Sequence, residues 1–394
     1  MPLRPPAGFR SAFYDPLKVA DAPTAPAASA GDTQATVEFT APSNVGGAAI
    51  TQYYAVSDPN QTTGNAASSP VTVTGLTNGT AYTFRVWALN SFGPSPYSAA
   101  SGSVTPAAPR GVFAGGGSNI IDYITIGTLG NATDFGDLTL SAGYAAGTSS
   151  SSRGIFSGFA TNSNVIEYIT ISSAGNSQDF GDLTVARDRV GGSSNSTRGL
   201  YAGGYTGADD SNVIDYITIS TIGNATDFGD LTSPTRYVLA GCGSSTRGVF
   251  GGGDDIATQT INNIDYVTIA TTGNATNFGA LTTKPAGVAA CSSSTRGVFA
   301  GGVQSFVGAL NVISYITIAT TGNATDFGDL LSTNSYLAGT SSSTRGIFAG
   351  GSSSNVIQYI TIATTGNSAD FGDLTRTQSS GGLGALSNAH GGLS

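Results

Sequence analysis

The chain has 394 residues, of which 39% are apolar, so it is long and apolar enough to build more than one core despite its 56 glycines. Only 10% of the residues are charged and the formal net charge is −9, which leaves no basic patch for phosphates or anionic membranes and excludes nucleic-acid binding from the expected functions. The sequence has no apolar run of about 18 residues, and residues 1–6 lack the apolar core of a secretory signal, so we expect neither membrane insertion nor conventional export.

Residues 1–21 form a proline-rich segment that is too short to fold alone. Three aromatic residues occur within six positions, which is unusual for a solvated tail. Two interpretations stay open: a disordered tail, or an arm that becomes ordered against a partner. The residues that would dock are Phe9, Arg10, Phe13 and Tyr14.

Residues 22–106 predict a β-sandwich. Segments 36–40, 50–56, 71–74 and 83–88 alternate apolar and polar residues, with Gly, Pro and Asn between them, and about seven short strands fit this length. The run Gly-Gly-x-x-Ile-Thr-x-Tyr at 46–53, the tyrosine corner at 76–82 and the segment 88–95 resemble the fibronectin type III family. Phe39 stands where that family usually has Trp. The resemblance implies a spacer or adhesive module, and residues 107–110 predict a short, stiff linker.

Six copies of one repeat follow, and they begin at Arg110, Arg153, Arg198, Arg247, Arg296 and Arg345. A period of 43 to 49 residues is typical of propellers and solenoids. Each copy predicts four strands, shown by the segments 236–241, 247–252, 263–269 and 277–281. The third strand is apolar on both faces, so we expect neighbouring sheets on both sides of it.

The two ends of the repeat region predict a closed ring. The first copy lacks a first strand, and residues 375–390 align with one, so the C-terminus supplies it and leaves no long exposed edge. The Gly-Gly doublet and a later aromatic resemble kelch repeats, with Phe135, Phe180, Phe228, Phe278, Phe327 and Phe371 roughly in place of the kelch tryptophan. The resemblance implies that residues 110–394 form a six-bladed β-propeller, and the whole chain is expected to be all-β.

Several motifs favour architecture over chemistry. Asp-Phe-Gly occurs five times without the companion motifs of a kinase. Asp134, Asp137 and their equivalents are expected to contact the repeat arginines rather than to bind calcium or act as an acid–base pair. The single histidine, His390, and the two cysteines, Cys242 and Cys291, suit neither a transition-metal site nor a catalytic triad, and we expect free, buried thiols. No cofactor, metal or enzymatic activity is predicted, and the recurring Asn-x-Ser/Thr sites are assigned no sugar.

Variation between the copies predicts the binding surface. Turns that join strands one to two and three to four hardly change and share one face, whereas the other connections diverge on the opposite face, where Arg187, Arg189, Lys284 and Tyr336 also lie. Variable loops on a constant scaffold favour binding, although unconstrained drift is the alternative. The candidate ligand contacts are Phe159, Tyr205, Asp209, Asp210, Asp254, Asp255, Gln304 and Phe306.

A sandwich joined to a Gly/Ser/Thr-rich repeat ring, with two lysines, resembles tail-fibre and virion-decoration proteins of bacteriophages. The resemblance implies assembly in the host cytoplasm, many copies in a virion, docking to other virion proteins through residues 1–21, and action outside the cell. Three hypotheses follow: an adhesin for a host-surface glycan or protein, a purely structural decoration or neck protein, and a glycan-cleaving enzyme. The third lacks a carboxylate pair that breaks the repeat symmetry.

Overall fold

The computed structural model describes residues 17–232, 235–255, 259–378 and 381–393. The chain divides into two compact units, Met1–Ala108 and Pro109–Ser394. Nearly all regular structure is β, and the one helical element in the described ranges is the short 3-10 helix Gly391–Leu393, so the all-β prediction is confirmed. No helix in these ranges is long and apolar enough to cross a membrane. The predicted docking residues Phe9, Arg10, Phe13 and Tyr14 lie outside the described residues.

The first unit is a sandwich of two antiparallel sheets with strand orders β1-β2-β5 and β4-β3-β6-β7. Alternating burial along β2, β3 and β6 turns one face of each sheet inward. The strands are β1 Thr24–Ala30, β2 Gln34–Thr40, β3 Gln52–Asp58, β4 Thr63–Ala66, β5 Val71–Thr74, β6 Thr83–Asn90 and β7 Gly93–Pro94.

The core of this unit contains the two features that the sequence singled out. Phe39 is buried, and its ring centroid lies 4.9 Å from that of Tyr53, so it fills the position expected for an aromatic. The Tyr82 hydroxyl accepts a hydrogen bond from the backbone N–H of Thr77 at 3.1 Å, which closes the predicted tyrosine corner.

The second unit contains six four-stranded antiparallel sheets, named here I to VI. In sheets II to VI the strands are paired in chain order. The loop between the second and third strands of sheet IV contains one extra hairpin, and so does the equivalent loop of sheet V. Sheet I comprises β8 Arg110–Gly115, β9 Ser118–Thr125, β10 Thr133–Ala142 and the C-terminal β35; sheet II β11 Ala146–Ser149, β12 Arg153–Ser157, β13 Val165–Thr170, β14 Gln178–Asp182; sheet III β15 Gly191–Ser194, β16 Arg198–Ala202, β17 Val213–Thr218, β18 Thr226–Asp230; sheet IV β19 Ala240–Gly243, β20 Arg247–Gly251, β23 Asn263–Thr268, β24 Thr276–Ala280, with hairpin β21 Asp254–Asp255 and β22 Gln259–Thr260; sheet V β25 Ala289–Ser292, β26 Arg296–Ala300, β29 Val312–Thr317, β30 Thr325–Asp329, with hairpin β27 Val303–Gln304 and β28 Gly308–Ala309; sheet VI β31 Leu337–Ser341, β32 Arg345–Gly350, β33 Val356–Thr361, β34 Ala369–Asp373; and β35 is Leu383–Ser387.

The sheets succeed one another in a cyclic order. Strand β35 pairs antiparallel with β8, from Leu383 opposite Gly115 to Ser387 opposite Gly111. At the junction of sheets I and II the N–H of Gly175 donates to the carbonyl of Phe135 at 2.7 Å, and at the junction of VI and I Gly130 donates to Phe371 at 2.9 Å. The four remaining junctions repeat this bond, so every sheet is joined to two neighbours.

The repeat arginines also join neighbouring sheets. Each guanidinium stacks on a tyrosine of its own sheet, at 4.3 to 4.7 Å from the ring centroid. Each also donates to an isoleucine carbonyl of the next sheet, from Arg110 to Ile171 through to Arg345 and Ile126. The expected contact of these arginines with Asp134, Asp137 and their equivalents was therefore wrong: in the described residues their partners are a tyrosine ring and a backbone carbonyl, and no ion pair joins them to these carboxylates.

The Asn of each Gly-Asn-Ala/Ser turn links sheets in the same way. The Asn176 side chain accepts from the N–H of Asp137 at 3.1 Å, and Asn131 accepts from Asp373 at 3.0 Å to complete the cycle. These asparagines recur because their side chains connect sheets.

Candidate binding site at the mouth of the central cavity

The first strands of the six sheets surround a cavity of about 50 Å³. It is lined by Gly, Ala, Ser, Thr and Cys residues of β11, β15, β19, β25, β31 and β35, by Leu386 of β35 and by His390. Cys242 and Cys291 in these strands are buried and free, as predicted, and burial raises the pKa of Cys242 to about 12.

At one end of the cavity, here called the serine end, side-chain hydroxyls tie the first strands together. Ser149 donates to the carbonyl of Ser387 at 2.7 Å, and Ser341 donates to that of Ser292 at 2.7 Å. His390 closes this end, because its Nε2 lies 3.2 Å from the carbonyl of Ser149 while its Nδ1 accepts the N–H of Gly392. Burial lowers the pKa of His390 to about 4, so the ring is neutral at physiological pH.

The opposite end is bordered by the loops that precede the first strands. Equivalent positions in these loops adopt the left-handed conformation, with φ of 59° at Arg189, 48° at Val238, 59° at Gly287 and 62° at Tyr336. Their backbones form a chain of hydrogen bonds, from Val238 to Arg189 at 3.0 Å, Gly287 to Val238 at 2.9 Å and Tyr336 to Gly287 at 2.7 Å. Three of these four positions hold a non-glycine residue in this sparsely populated region, so the repeated backbone bonds fix the loops against local strain.

Arg189 and four tyrosines meet above this chain, and we call Tyr144, Arg189, Tyr205, Tyr237 and Tyr336 the mouth. The guanidinium lies 4.7 Å from the Tyr144 ring centroid and 5.5 Å from those of Tyr205 and Tyr237. Tyr336 packs edge-on against Tyr144 with centroids 6.0 Å apart. Five side chains from different loops therefore form one aromatic surface around a cation.

Carboxylates surround the mouth. The Arg189 Nε lies 3.6 Å from an Asp188 carboxylate oxygen, which is within ion-pair distance but too far for a hydrogen bond. Burial, together with the neighbouring Asp254 carboxylate, raises the pKa of Tyr237 to about 12. Burial also raises the pKa of Tyr336. The hydroxyls of Tyr237 and Tyr336 are therefore neutral donors at physiological pH.

Next to the mouth lies an open depression of about 420 Å³. It is formed by the hairpin β21–β22 of sheet IV and the hairpin β27–β28 of sheet V, together with Tyr237. Its lining residues are Tyr237, Asp254, Asp255, Gln259, Ser305 and Phe306. This set combines two aromatic rings with carboxylate, amide and hydroxyl groups.

Two buried ion pairs hold the loops below the mouth. Arg187 and Asp215 are 2.9 Å apart, and Arg236 and Asp265 are 2.7 Å apart, with side chains that are fully buried. Arg236 and Val238 belong to the loop that precedes β19, and Val238 has a positive φ. The first strand of sheet IV therefore begins at Ala240 rather than at the predicted residue 236.

The structure brings some of the predicted ligand contacts together and separates others. Asp254, Asp255 and Phe306 line the depression, and Tyr205 belongs to the mouth. Asp209 is exposed on the loop of Tyr205, and the Gln304 side chain accepts the backbone N–H of Lys284 at 3.2 Å. Asp210 is buried with 6% exposure, and Phe159 is buried with 1% exposure in the core between sheets I and II. Phe159 was therefore wrong as a ligand contact, because its apolar ring packs inward.

Sequence reasoning did not assign Tyr144, Tyr237, Gln259 or Ser305 to the site. Tyr237 was placed in a strand, because the segment 236–241 was interpreted as the first strand of its sheet. Sequence patterns predicted that Arg189 and Tyr336 lie in variable loops. Their proximity in the mouth depends on the order in which the sheets are joined.

Residues 21–103 match the family model of the fibronectin type III domain, which agrees with the sandwich of the first unit. Domains of this family are typically non-catalytic binding or structural modules. A comparison of the chain with curated proteins gives no significant match.

The geometry at the mouth and the depression suits reversible binding. Aromatic faces offer stacking surfaces, and carboxylate and amide oxygens accept hydrogen bonds from hydroxyl groups. Within the described ranges, no three His, Cys, Asp or Glu side chains lie close enough together to hold a metal ion.

Proposed function

We propose that residues 110–394 form a closed six-bladed, kelch-like β-propeller and that the protein is a non-enzymatic binding protein of a bacteriophage virion. In this proposal the fibronectin type III module is a spacer, and the mouth and the depression contact a glycan or protein on the host surface. The virion assignment rests on the sequence resemblance to tail-fibre and decoration proteins.

One observation carries the binding proposal. The six loops that precede the first strands occupy equivalent places, yet only some of them contribute Tyr144, Arg189, Tyr237 and Tyr336 to the mouth. The serine end repeats the same bonds instead. An aromatic surface that breaks a regular repeat beside an open depression favours recognition over packing.

Closure of the ring is tested by truncation. Deleting residues 383–394 removes β35 and leaves β8 with an unpaired edge. We expect the second unit to lose its cooperative thermal unfolding transition, measured by calorimetry. A truncated chain that unfolds at the same temperature as the full chain would contradict the closed propeller.

Binding is tested with the full chain carrying a fluorescent label. We expect it to bind bacterial host cells, and we expect the combined substitution Tyr205→Ala, Asp209→Ala and Phe306→Ala to abolish this binding. A matched control replaces the exposed Phe92 of the first unit with Ala and should bind normally. Removing the surface polysaccharide from the cells separates a glycan ligand from a protein ligand.

The docking arm is tested separately. A chain without residues 1–21 should stay folded and soluble and should no longer join virus particles. Continued incorporation into particles would refute the docking role of Phe9, Arg10, Phe13 and Tyr14.

The second candidate is a purely structural decoration, capsid, neck or tail protein without a receptor. The hydrogen-bonded cycle of sheets favours it, because such a framework is rigid whether or not a ligand binds. Particles that contain the protein while its second unit binds no cells would select this candidate. Release of new reducing ends from host polysaccharide would instead overturn the non-enzymatic assignment.

A further inference from the structure

The depression is held in shape by contacts between the two hairpins and the loops behind them. The backbones of Tyr237 and Asp254 exchange two hydrogen bonds, at 3.1 and 3.0 Å. The N–H of Ser305 donates to the Thr260 hydroxyl at 3.2 Å, which ties the second hairpin to the first. These bonds fix Tyr237, Asp254 and Ser305 in place before a ligand binds, which lowers the entropy cost of binding.

Phe306 has no packing role in the fold. Its side chain is 95% exposed at the tip of its hairpin, and its φ of 65° lies in the left-handed region that a bulky residue rarely adopts. Tyr237 borders the same depression with a half-buried ring. The two rings offer apolar faces of the kind on which the C–H face of a sugar ring stacks.

Asp254 has acceptor capacity to spare. One carboxylate oxygen accepts the Tyr237 hydroxyl at 3.3 Å, and the other accepts the N–H of Asp255 at 3.1 Å. An ionised carboxylate offers about four acceptor sites, so two neighbouring hydroxyls of a ligand can bind to it. The Ser305 hydroxyl and the Gln259 amide lie along the same wall.

Charge decides which kind of ligand fits. Among the described residues that line the depression are two carboxylates and no cationic side chain, so an anionic sugar would be repelled. The Arg189 guanidinium lies 5.5 Å from the Tyr237 ring centroid and offsets part of this negative charge, which weakens the attraction of the depression for a cationic sugar. The hydroxyl groups of a neutral sugar donate hydrogen bonds to the carboxylates of the depression and carry no charge that the Arg189 guanidinium would repel.

We propose that the depression of Tyr237, Asp254, Ser305 and Phe306 binds a neutral hexose-type residue of a glycan. Asp254 accepts hydrogen bonds from two adjacent hydroxyls, and Phe306 and Tyr237 stack on the faces of the ring. The inference rests on the proposed function of this surface in host recognition and adds the chemical class of the ligand.

The test measures binding of the full chain to three sets of immobilised oligosaccharides that share a backbone: neutral hexoses, the corresponding uronic acids and the corresponding amino sugars. We expect the neutral set to bind at least about tenfold more tightly than the other two, with little dependence on salt. Asp254→Asn should weaken neutral binding by about tenfold to a hundredfold and should move the neutral-to-uronic ratio towards one. Phe306→Ala should also weaken it.

Two controls keep the result interpretable. Asp134→Asn removes a charge from an exposed strand position away from the depression, and Phe92→Ala removes an exposed ring from the first unit, so both should bind as the unchanged chain does. Melting temperatures of all variants show whether they are folded.

Three results would overturn the inference. Tighter, salt-sensitive binding of the uronic acids would reverse the charge argument, and neutral binding that survives both Asp254→Asn and Phe306→Ala would place the ligand elsewhere. Binding to cells without binding to any of the three sets would overturn the neutral glycan while the proposed recognition function stands. Absence of binding to both cells and sugars would remove the recognition function itself.

Discussion

The serine end and the mouth are the two ends of the same six strands, but they are built by opposite means. At the serine end equivalent residues make equivalent bonds, with Ser194 and Ser292 each donating to the carbonyl of a neighbouring first strand. At the mouth the backbones of equivalent positions still repeat one hydrogen bond, as from Val238 to Arg189, but the side chains at these positions differ, and Arg189 stacks on Tyr144. Repeated bonds join neighbouring sheets, and side chains that depart from the repeat produce a surface with its own chemistry.

The largest expected effect concerns the ion pair below the mouth. Arg236→Ala leaves the carboxylate of Asp265 buried without its partner, 2.7 Å from where the guanidinium was. We expect the free energy of unfolding to fall by about 3 to 5 kcal/mol, measured by denaturant titration. The exposed substitution Asp134→Asn should change it by no more than about 0.5 kcal/mol. If Arg236→Ala and Asp134→Asn change the free energy of unfolding equally, the buried ion pair does not stabilise the loops of the mouth.

A smaller effect is expected at Gly287. A Cβ atom there would lie 2.7 Å from the Tyr336 ring, and the φ of 59° is already unfavourable for alanine. We expect Gly287→Ala to destabilise the protein by about 1 to 2 kcal/mol. The matched control is Gly75→Ala, where φ is 78° and nothing lies within 4 Å, so it measures the backbone strain alone. If Gly287→Ala and Gly75→Ala lower the free energy of unfolding equally, the position of the Tyr336 ring does not require a glycine at 287.

The serine end should show a pH dependence of stability that comes from His390. The pKa of His390 is about 4 in the folded protein and about 6.5 in an unfolded chain, so the unfolded state binds more protons between these values. Stability should therefore fall as the pH is lowered from about 6.5 towards about 4. His390→Gln should flatten the slope above about pH 5, where most carboxylates are still ionised. An unchanged slope in thermal unfolding would contradict the neutral, enclosed ring.

The smallest effect on stability is expected at the tip of the hairpin β27–β28 of sheet V. Phe306 is 95% exposed, so Phe306→Ala should change the free energy of unfolding by no more than about 0.5 kcal/mol. Its effect should be on ligand binding instead. A large loss of stability would mean that the ring packs against the protein in solution.

Sequence patterns predicted most of the framework because its signals are local. Alternation in residues 83–88 and the tyrosine corner at 76–82 identified the sandwich, and the structure has β6 and the Tyr82 bond at these places. The recurring third strand identified the repeat. Contacts of the repeat arginines were not predictable, because they depend on which tyrosine face and which carbonyl the next sheet presents.

By itself the sequence determined an all-β chain, a sandwich of the fibronectin type III kind, and repeats whose missing strand lies at the C-terminus, since hydrophobic periodicity and turn residues act over short distances. Only the tertiary structure decided that Phe159 turns inward, that Arg189 is enclosed by tyrosines from several loops, and that Asp254 and Phe306 share one depression. These outcomes join residues that are far apart in the chain, and the stacking of successive sheets brings them together.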